Sequence, residues 1–137
     1  MLERDPGAGV GEIGMDRTRI TPDVQMEVFV RQLRIARDMH RPVTIHMKGF
    51  EKEVLDALRS EHGRMPTILH SFSQESYVEP FRRENCYFSV GPRLLAKNDA
   101  HIERIVGGIP EDRLLVETDA PYAGKEFRGV RDLIERI

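Results

Sequence analysis

The sequence contains a single cysteine, Cys86, so no disulfide can form within the chain. The absence of disulfides is typical of a reducing compartment, and we predict a cytoplasmic location. No uninterrupted apolar run approaches the roughly 18 residues that a membrane-spanning helix needs, so we expect no membrane span. Residues 1–11 are charged and rich in glycine, whereas a signal peptide requires an apolar stretch.

The sequence also lacks an excess of charge of either sign. Its 21 Lys and Arg residues nearly balance 23 Asp and Glu residues, so the overall charge does not indicate a nucleic-acid-binding protein. A local basic patch remains compatible with this balance, because net charge averages over the whole surface. The 39% hydrophobic content and the length of 137 residues are typical of one globular domain, which we predict over residues 1–137.

Short apolar segments alternate with segments of helical periodicity. Five apolar segments predict buried strands at residues 10–13, 42–45, 66–69, 86–90 and 113–116. Helical spacing of apolar residues predicts helices near residues 22–39, 50–58, 74–84 and 99–106, and from about residue 130. In the first helix, the apolar positions are Val24, Val28, Ile35 and Met39, with Phe29, Leu33 and Ala36 beside them.

This alternation predicts an α/β fold in which helices cover a parallel sheet. An open doubly wound sheet and a section of a (β/α)₈ barrel both fit the pattern. A complete barrel usually needs about 250 residues, so this chain could hold only part of one. Both ends of the sequence look cut, because neither carries the signals expected at the boundary of a domain.

Acidic and imidazole side chains lie at or near the ends of four predicted strands. The residues in question are Glu12, His46, His70, Glu117 and Asp119. The carboxyl ends of parallel strands lie on one side of a sheet, where α/β proteins bind ligands. Imidazole and carboxylate groups bind Zn²⁺ and other catalytic divalent metals. The pattern therefore predicts a metal site, which would also offset the cost of placing carboxylates at the end of an apolar strand.

Each of these residues also has an ordinary structural explanation. A single histidine at a strand end is more often a hydrogen-bonded structural residue than a ligand, and Glu12 alone could be a loop acid. The remaining histidines lie in helical or loop segments, where we expect them to be solvated: His40, His62 and His101. The coincidence of metal-type side chains at four strand ends favours the metal site.

Five sequence segments resemble one known protein family in order and spacing. They are GEIGMD (11–16), PVTIH (42–46), ILHSFS (68–73), YFSVG (87–91) and IPEDRLLVETDAPY (109–122). The family is that of the TatD-type metal-dependent hydrolases and deoxyribonucleases, and the similarity extends over residues 10–122. The resemblance implies a partial (β/α) TIM-type barrel of the amidohydrolase superfamily, with about five parallel strands and intervening helices.

The resemblance also implies a divalent metal centre of Zn²⁺, Mg²⁺ or Mn²⁺, with two ions in the full-length enzyme. By motif position, Glu12 matches the bridging carboxylate, and His46 and His70 match the two histidine ligands of one metal. Asp119 matches the aspartate beside the other metal and the attacking water. Glu12 and Asp119 are therefore the implied catalytic residues, and the implied reaction is hydrolysis of phosphodiester bonds in DNA by metal-activated water.

Two further residues receive weaker assignments. Lys48 occupies a position where the family usually has a basic residue, so it could contact a substrate phosphate, although a solvated surface lysine fits equally well. Glu117 has no ligand role in the family, and we interpret it as structural. Its even spacing from Asp119 would direct both side chains to one side of a regular strand.

The sequence departs from the family in one respect. Members begin with a strand that carries a His-x-His pair of metal ligands, and no His-x-His occurs in this chain. We therefore expect the C-terminal part of such an enzyme, whose open sheet edges favour self-association. Two alternatives stay open: a catalytically incomplete fragment or assembly module, and a related metal hydrolase that cleaves amide, ester or lactone bonds.

Overall fold

The computed structural model describes residues 4–19, 21–120 and 128–137, and strands alternate with helices along them. The strands are β1 (Val10–Asp16), β2 (Val43–Lys48), β3 (Thr67–Leu69), β4 (Cys86–Val90) and β5 (Leu114–Val116). The helices are α1 (Pro22–Asp38), α2 (Glu51–Ala57), α3 (Val78–Arg82), α4 (Asp99–Gly108) and α5 (Arg128–Arg136). The predicted strand–helix alternation is confirmed. The last two residues of the segment 109–122 lie outside the described residues.

Short segments of other helix types complete the order of elements. A π-helical segment (Leu58–His62) continues α2, and 3₁₀ segments precede α3, α4 and β5 at Glu75–Tyr77, Pro92–Ala96 and Glu111–Arg113. Among the helices of the described residues, none combines the length and the apolar character that crossing a membrane requires.

The chain divides into two compact units, and the first is Met1–Ile68. In this unit β1 and β2 are adjacent and parallel, with Ile13 opposite Ile45 and Gly14 opposite His46. The register shifts in the part of β1 that precedes Ile13. Ile13 and Ile45 are buried, so one face of the strand pair is apolar while the other carries the alternate residues.

Helix α1 begins at Pro22, as the sequence predicted, but three of its seven predicted apolar positions are exposed. The exposed fractions are 47%, 48% and 49% for Val24, Val28 and Ile35. The buried face instead consists of Phe29, Leu33 and Ala36. Both sets repeat at helical spacing, so periodicity alone does not distinguish them. The helix packs on β1 and on the π-helical segment, and these neighbours decide which set is buried.

His62 is buried at the end of the π-helical segment, so the prediction that it is solvated was wrong. Its side chain is among the largest that are fully buried, and neither ring nitrogen has a hydrogen-bond partner of normal geometry in the described part of the chain. Burial lowers the pKa of His62, because it disfavours the charged imidazolium. His40 is exposed, as predicted, whereas His101 is only partly exposed.

The second compact unit is Leu69–Ile137, in which β4 and β5 are adjacent and parallel. Its core contains three phenylalanine rings packed edge to face. The ring centroid of Phe72 lies 4.8 Å from that of Phe88 and 6.4 Å from that of Phe81. Phe72 is 2% exposed, so its ring is part of the core packing. Cys86 is buried beside this core, and burial raises the pKa of its thiol to about 12.

Two helices of the second unit differ from their predicted lengths. The predicted helix at residues 74–84 is a 3₁₀ turn (Glu75–Tyr77) followed by the five-residue α3. Pro80 lies inside α3 and has no backbone N–H to donate, which accounts for the short element. Helix α4 extends beyond its predicted end at residue 106 and includes Gly107 and Gly108, with Ile109 as its C-cap.

Candidate metal centre

The polar face of β1 and β2 carries two of the predicted site residues. Glu12 is the third residue of the seven-residue β1, and His46 is the fourth residue of the six-residue β2. Both therefore lie inside strands that are longer than predicted, and Asp16 and Lys48 occupy the strand ends. The strands continue because the alternation of buried and accessible residues persists to Met15 in β1.

His46 lies between two carboxylates of its own unit. Its Nδ1 is 3.8 Å from Oε1 of Glu12, and its Nε2 is 3.5 Å from Oδ2 of Asp16. Both separations exceed the usual length of an N–H···O hydrogen bond. Two donor atoms bound tetrahedrally to one Zn²⁺ lie roughly 3.4 Å apart, so this spacing suits a cation between an imidazole nitrogen and a carboxylate oxygen.

Asp16 is a member of this group that the sequence analysis did not identify. Its Oδ1 accepts hydrogen bonds from the backbone N–H of Thr18 at 2.8 Å and from the Thr18 hydroxyl at 2.7 Å. Desolvation acts to raise the pKa of Asp16, but the two bonds from Thr18, with Lys48 and His46 nearby, outweigh it and lower the pKa to about 2. Asp16 is therefore a carboxylate at neutral pH. The sequence feature that could have identified Asp16 is its position at the end of the segment GEIGMD.

A cavity of about 300 Å³ opens beside these side chains. Glu12, Asp16, His46 and the exposed Arg19 contribute to its lining. Lys48 is exposed at the end of β2, in register with Asp16. Cationic side chains thus lie beside a face that otherwise carries carboxylates.

In the second unit, His70 directly follows β3 and lies between two other carboxylates. Its Nδ1 is 2.8 Å from Oε1 of Glu117, and its Nε2 is 3.5 Å from Oδ1 of Asp119. The other oxygen of Asp119, Oδ2, is 3.1 Å from Nη2 of Arg93. The structure therefore brings His70, Glu117 and Asp119 together. Arg93 is a further member that the sequence analysis did not identify.

Glu117 is satisfied by hydrogen bonds from several parts of the second unit. Its Oε1 accepts a bond from the backbone N–H of Ser71 at 2.9 Å, and its Oε2 accepts one from the hydroxyl of Ser89. These bonds explain how a carboxylate can follow an apolar strand, because a partly buried acid needs donors. The partners lie 46 and 28 residues away in the sequence, so no local pattern could reveal them.

Two residues of this group have left-handed backbone conformations. Ser71 has a φ of 50° and Asp119 a φ of 49°, which few residues other than glycine adopt. Such conformations cost free energy and persist where the surrounding structure enforces them, often at functional sites. Here they occur directly after His70 and at Asp119 itself.

The donor chemistry of both units fits a divalent cation. Glu12 and His46 offer a carboxylate and an imidazole in the first unit, and His70 and Asp119 offer the same pair in the second. Nitrogen and oxygen donors of this kind bind Zn²⁺ and Mn²⁺, and carboxylates also bind Mg²⁺. Cys86, the chain's one thiol, is buried in strand β4 and is not a member of either group.

Comparisons with known proteins identify relatives over most of the chain. A family model described as TatD related DNase matches residues 1–135. The chain is 33% identical over 128 residues to the uncharacterized metal-dependent hydrolase YabD of Bacillus subtilis, covering 90% of this chain and 50% of that protein. It is 30% identical over 118 residues to the 3'-5' ssDNA/RNA exonuclease TatD of Escherichia coli K12, covering 82% and 45%. The chain thus spans about half the length of these relatives.

A solved structure shows the same fold. The crystal structure of YJJV, a TatD homolog from Escherichia coli K12, is similar with a TM-score of 0.82 at 24% sequence identity. The similarity covers 98% of this chain and 59% of that one. The predicted α/β fold, a partial (β/α) TIM-type barrel of about five parallel strands with intervening helices, is confirmed.

Proposed function

The chain belongs to the TatD-related DNase family, and we propose that it binds a divalent cation through Glu12, His46 and His70 in a metal-dependent hydrolase. The observation that carries the proposal is this donor set. It consists of one carboxylate and two imidazoles, a combination that holds catalytic Zn²⁺ in other hydrolases. Each donor comes from a different strand or strand end, in the order that the resemblance implies.

The residues around these donors have distinct roles in the proposed hydrolysis. A bound divalent cation supplies Lewis acidity that lowers the pKa of a water molecule and offsets negative charge on a phosphodiester. Asp119 accepts the proton of the attacking water, and Arg93 holds Oδ2 of Asp119 so that Oδ1 stays on the side of His70. Glu12 contributes both as a ligand and as a second carboxylate near the reacting water.

We propose nucleic acid as the substrate, with the phosphodiester bonds of DNA as the bonds that are cleaved. The support is the resemblance together with the relative from Escherichia coli, whose name specifies a 3'-5' ssDNA/RNA exonuclease. The exposed Lys48 and Arg19 are the candidate contacts for a substrate phosphate. Both would act as surface cations that attract the substrate's negative charge.

The proposal also covers the cellular location of the enzyme, its metal and its self-association. The single, buried thiol supports a cytoplasmic location. The metal is Zn²⁺, Mg²⁺ or Mn²⁺, and a second ion is proposed for the full-length enzyme only, since the sequence has no His-x-His pair. Self-association through open sheet edges stays a prediction. The exposed Leu115 and Val116 of β5 are the side chains that such pairing would cover.

Isothermal titration of the metal-free protein with Zn²⁺ and with Mn²⁺ tests the metal site. We expect one ion to bind, and we expect His46→Ala and His70→Ala each to weaken binding at least tenfold. His40→Asn is the matched control, because His40 is exposed and its φ of 52° is one that asparagine tolerates. Folded protein that binds neither metal, or variants that bind as tightly as the wild type, would refute the site.

A second assay tests the substrate. We expect 5'-labelled single-stranded DNA to be shortened only in the presence of the metal, and His70→Ala to abolish the reaction. Metal binding without cleavage of DNA, together with hydrolysis of a simple ester or lactone, would contradict the nucleic-acid substrate and favour the related metal-hydrolase alternative.

A further inference from the structure

Glu117 lies at hydrogen-bonding distance from a ring nitrogen of His70 in the second unit. Oε1 of Glu117 lies 2.8 Å from Nδ1 of His70, whereas Oδ1 of Asp119 lies 3.5 Å from Nε2. The two acids therefore face opposite nitrogens of one imidazole. Only the shorter contact has the length of a charge-assisted hydrogen bond.

The position of Glu117 is itself held by its surroundings. Its backbone N–H donates to the carbonyl of Val90 at 3.0 Å, which continues the pairing of β5 with β4. The carboxylate accepts bonds from the Ser71 N–H and from the Ser89 hydroxyl. Ser89 is 4% exposed, so the hydroxyl that donates to Glu117 is buried and does not lie at the surface.

Space for the side chain depends on Gly91. A Cβ atom built at Gly91 would lie 3.2 Å from Cγ and 3.4 Å from Oε1 of Glu117. The glycine thus leaves room for the glutamate where most other residues would press against it. The hydrogen bonds from the Ser71 N–H and the Ser89 hydroxyl hold the carboxylate in one position, and Gly91 leaves the space that this position requires.

We propose that Glu117 is a positioning residue that sets the tautomer and the orientation of His70; the inference rests on the proposed metal-binding role of His70. Both oxygens of Glu117 accept hydrogen bonds from other donors, so Nδ1 of His70 is the group that donates across the 2.8 Å contact. The lone pair of the neutral ring is then on Nε2, the nitrogen on the side of Asp119. Glu117 therefore presents Nε2 as the donor atom without touching the cation.

The alternative tautomer is disfavoured by the same contact. With the proton on Nε2, the lone pair of Nδ1 would face a carboxylate at 2.8 Å, and the two acceptors would repel each other. Without the negative charge of the carboxylate, this preference for one tautomer of His70 over the other is lost. Partners of this kind change metal affinity by about 10- to 100-fold when they are lost.

The test is nitrogen-15 NMR of histidine in the metal-free protein, at a pH high enough for the imidazoles to be neutral. The chain has five histidines, and His70→Gln identifies the signals of His70 by their loss. We expect the Nδ1–H tautomer at His70 in the wild type and a shift toward the Nε2–H tautomer in Glu117→Gln. The glutamine keeps the volume of the side chain, and urea unfolding of the variant checks that it folds.

Ser89→Ala is the matched control, because it removes a donor to Glu117 but leaves the contact of Glu117 with His70. We expect this variant to keep the Nδ1–H tautomer. An Nε2–H tautomer in the wild type, or no change of tautomer in Glu117→Gln, would overturn the proposal.

Titration with Zn²⁺ supplies the second measurement. We expect the dissociation constant to rise about tenfold in Glu117→Gln. Equal affinities in the wild type and the variant would overturn the positioning role. A wild type that binds no metal would instead refute the proposed function, while the NMR result would still decide whether Glu117 sets the tautomer.

Discussion

The two compact units hold their histidines in different ways. In the first unit, the carboxylates beside His46 are 3.5 and 3.8 Å away, and the Glu12 side chain is 47% exposed. In the second unit, Glu117 is 2.8 Å from His70, and the two side chains are 18% and 14% exposed. One imidazole lies between the half-exposed Glu12 and the less exposed Asp16 at distances longer than a hydrogen bond, and the other is bound to a carboxylate that the fold itself holds.

The difference concerns how much of each arrangement is present before a cation binds. A short bond to a fixed carboxylate orients His70 in the protein alone. The contacts of His46 with Glu12 and Asp16 are longer than a hydrogen bond, so these carboxylates constrain its ring less than Glu117 constrains that of His70. We therefore expect metal binding to order the side chains of the first unit more than those of the second.

The largest effect is expected from Gly14→Ala, which breaks the framework of the first unit. Gly14 has a φ of 139°, and a Cβ atom there would lie 1.9 Å from the carbonyl oxygen of His46. Backbone atoms of a paired strand cannot move aside, so we expect a loss of about 3–5 kcal/mol in the free energy of unfolding, measured in urea.

Gly107→Ala is the control for this prediction. Gly107 lies in α4 with nothing within 4 Å of a built Cβ atom. We expect no loss of stability there, and a gain of up to about 1 kcal/mol from the higher helix propensity of alanine. Similar stabilities for the two variants would contradict the close approach of β1 and β2 at Gly14.

The same substitution in both units tests the comparison directly. Glu117→Ala leaves the donors of Ser71, Ser89 and His70 without their acceptor, so we expect it to cost about 2 kcal/mol of stability. Glu12→Ala truncates a half-exposed side chain, and we expect a cost of less than about 1 kcal/mol. Urea unfolding of the metal-free proteins measures both, and equal costs would remove the distinction between the units.

Arg93→Ala tests whether the second unit also orders Asp119. The side chain of Arg93 is 51% exposed, so its ion pair contributes little stability, about 1 kcal/mol or less. Without it, Asp119 loses the partner of Oδ2, and we expect kcat for metal-dependent hydrolysis to fall about tenfold with a smaller change in KM. Arg82→Ala, which removes an exposed pair with Glu79, serves as the control. An unchanged kcat for Arg93→Ala would exclude the ordering role.

The smallest effect is expected for His62 of the first unit. This histidine is buried, and no contact between it and a carboxylate is seen in the described residues. Burial lowers its pKa from the ordinary value of 6.5, so the unfolded chain takes up a proton at a higher pH than the folded protein does. Stability is therefore fully present above pH 6.5 and declines as the pH falls toward the lower folded pKa.

Urea unfolding at pH 8 and pH 5.5 measures this dependence. We expect His62→Leu to reduce the loss of stability between the two pH values, because leucine does not titrate. His40→Asn, at an exposed position, should leave the loss unchanged. If His62→Leu loses as much stability between pH 8 and pH 5.5 as the wild type does, the pH dependence arises from other groups.

Much of the fold could be predicted because its signals are local. The strand Cys86–Val90 and the start of α1 at Pro22 were predicted at the observed residues. Apolar segments and a proline in a first turn act over a few residues, so the sequence displays them directly. Glu12, His46, His70 and Asp119 were named for the same reason, since each lies within a few residues of a strand end or inside a strand.

Other features depended on partners that are distant in the sequence. Which face of α1 is buried depends on β1 and on the π-helical segment, and the exposed Val28 and the buried Phe29 are neighbours in the chain. Asp16 was missed because its position beside His46 appears only when β1 and β2 pair. The burial of His62 likewise follows from packing that periodicity does not encode.

The sequence by itself determined the order of strands and helices, the family, and which acids and imidazoles stand near the strand ends, because these depend on residue type and short spacing. Only the tertiary structure decided that Glu117 meets Nδ1 of His70 and that Arg93 meets Asp119. Those contacts join residues of separate elements, and their distances follow from how the strands and turns pack.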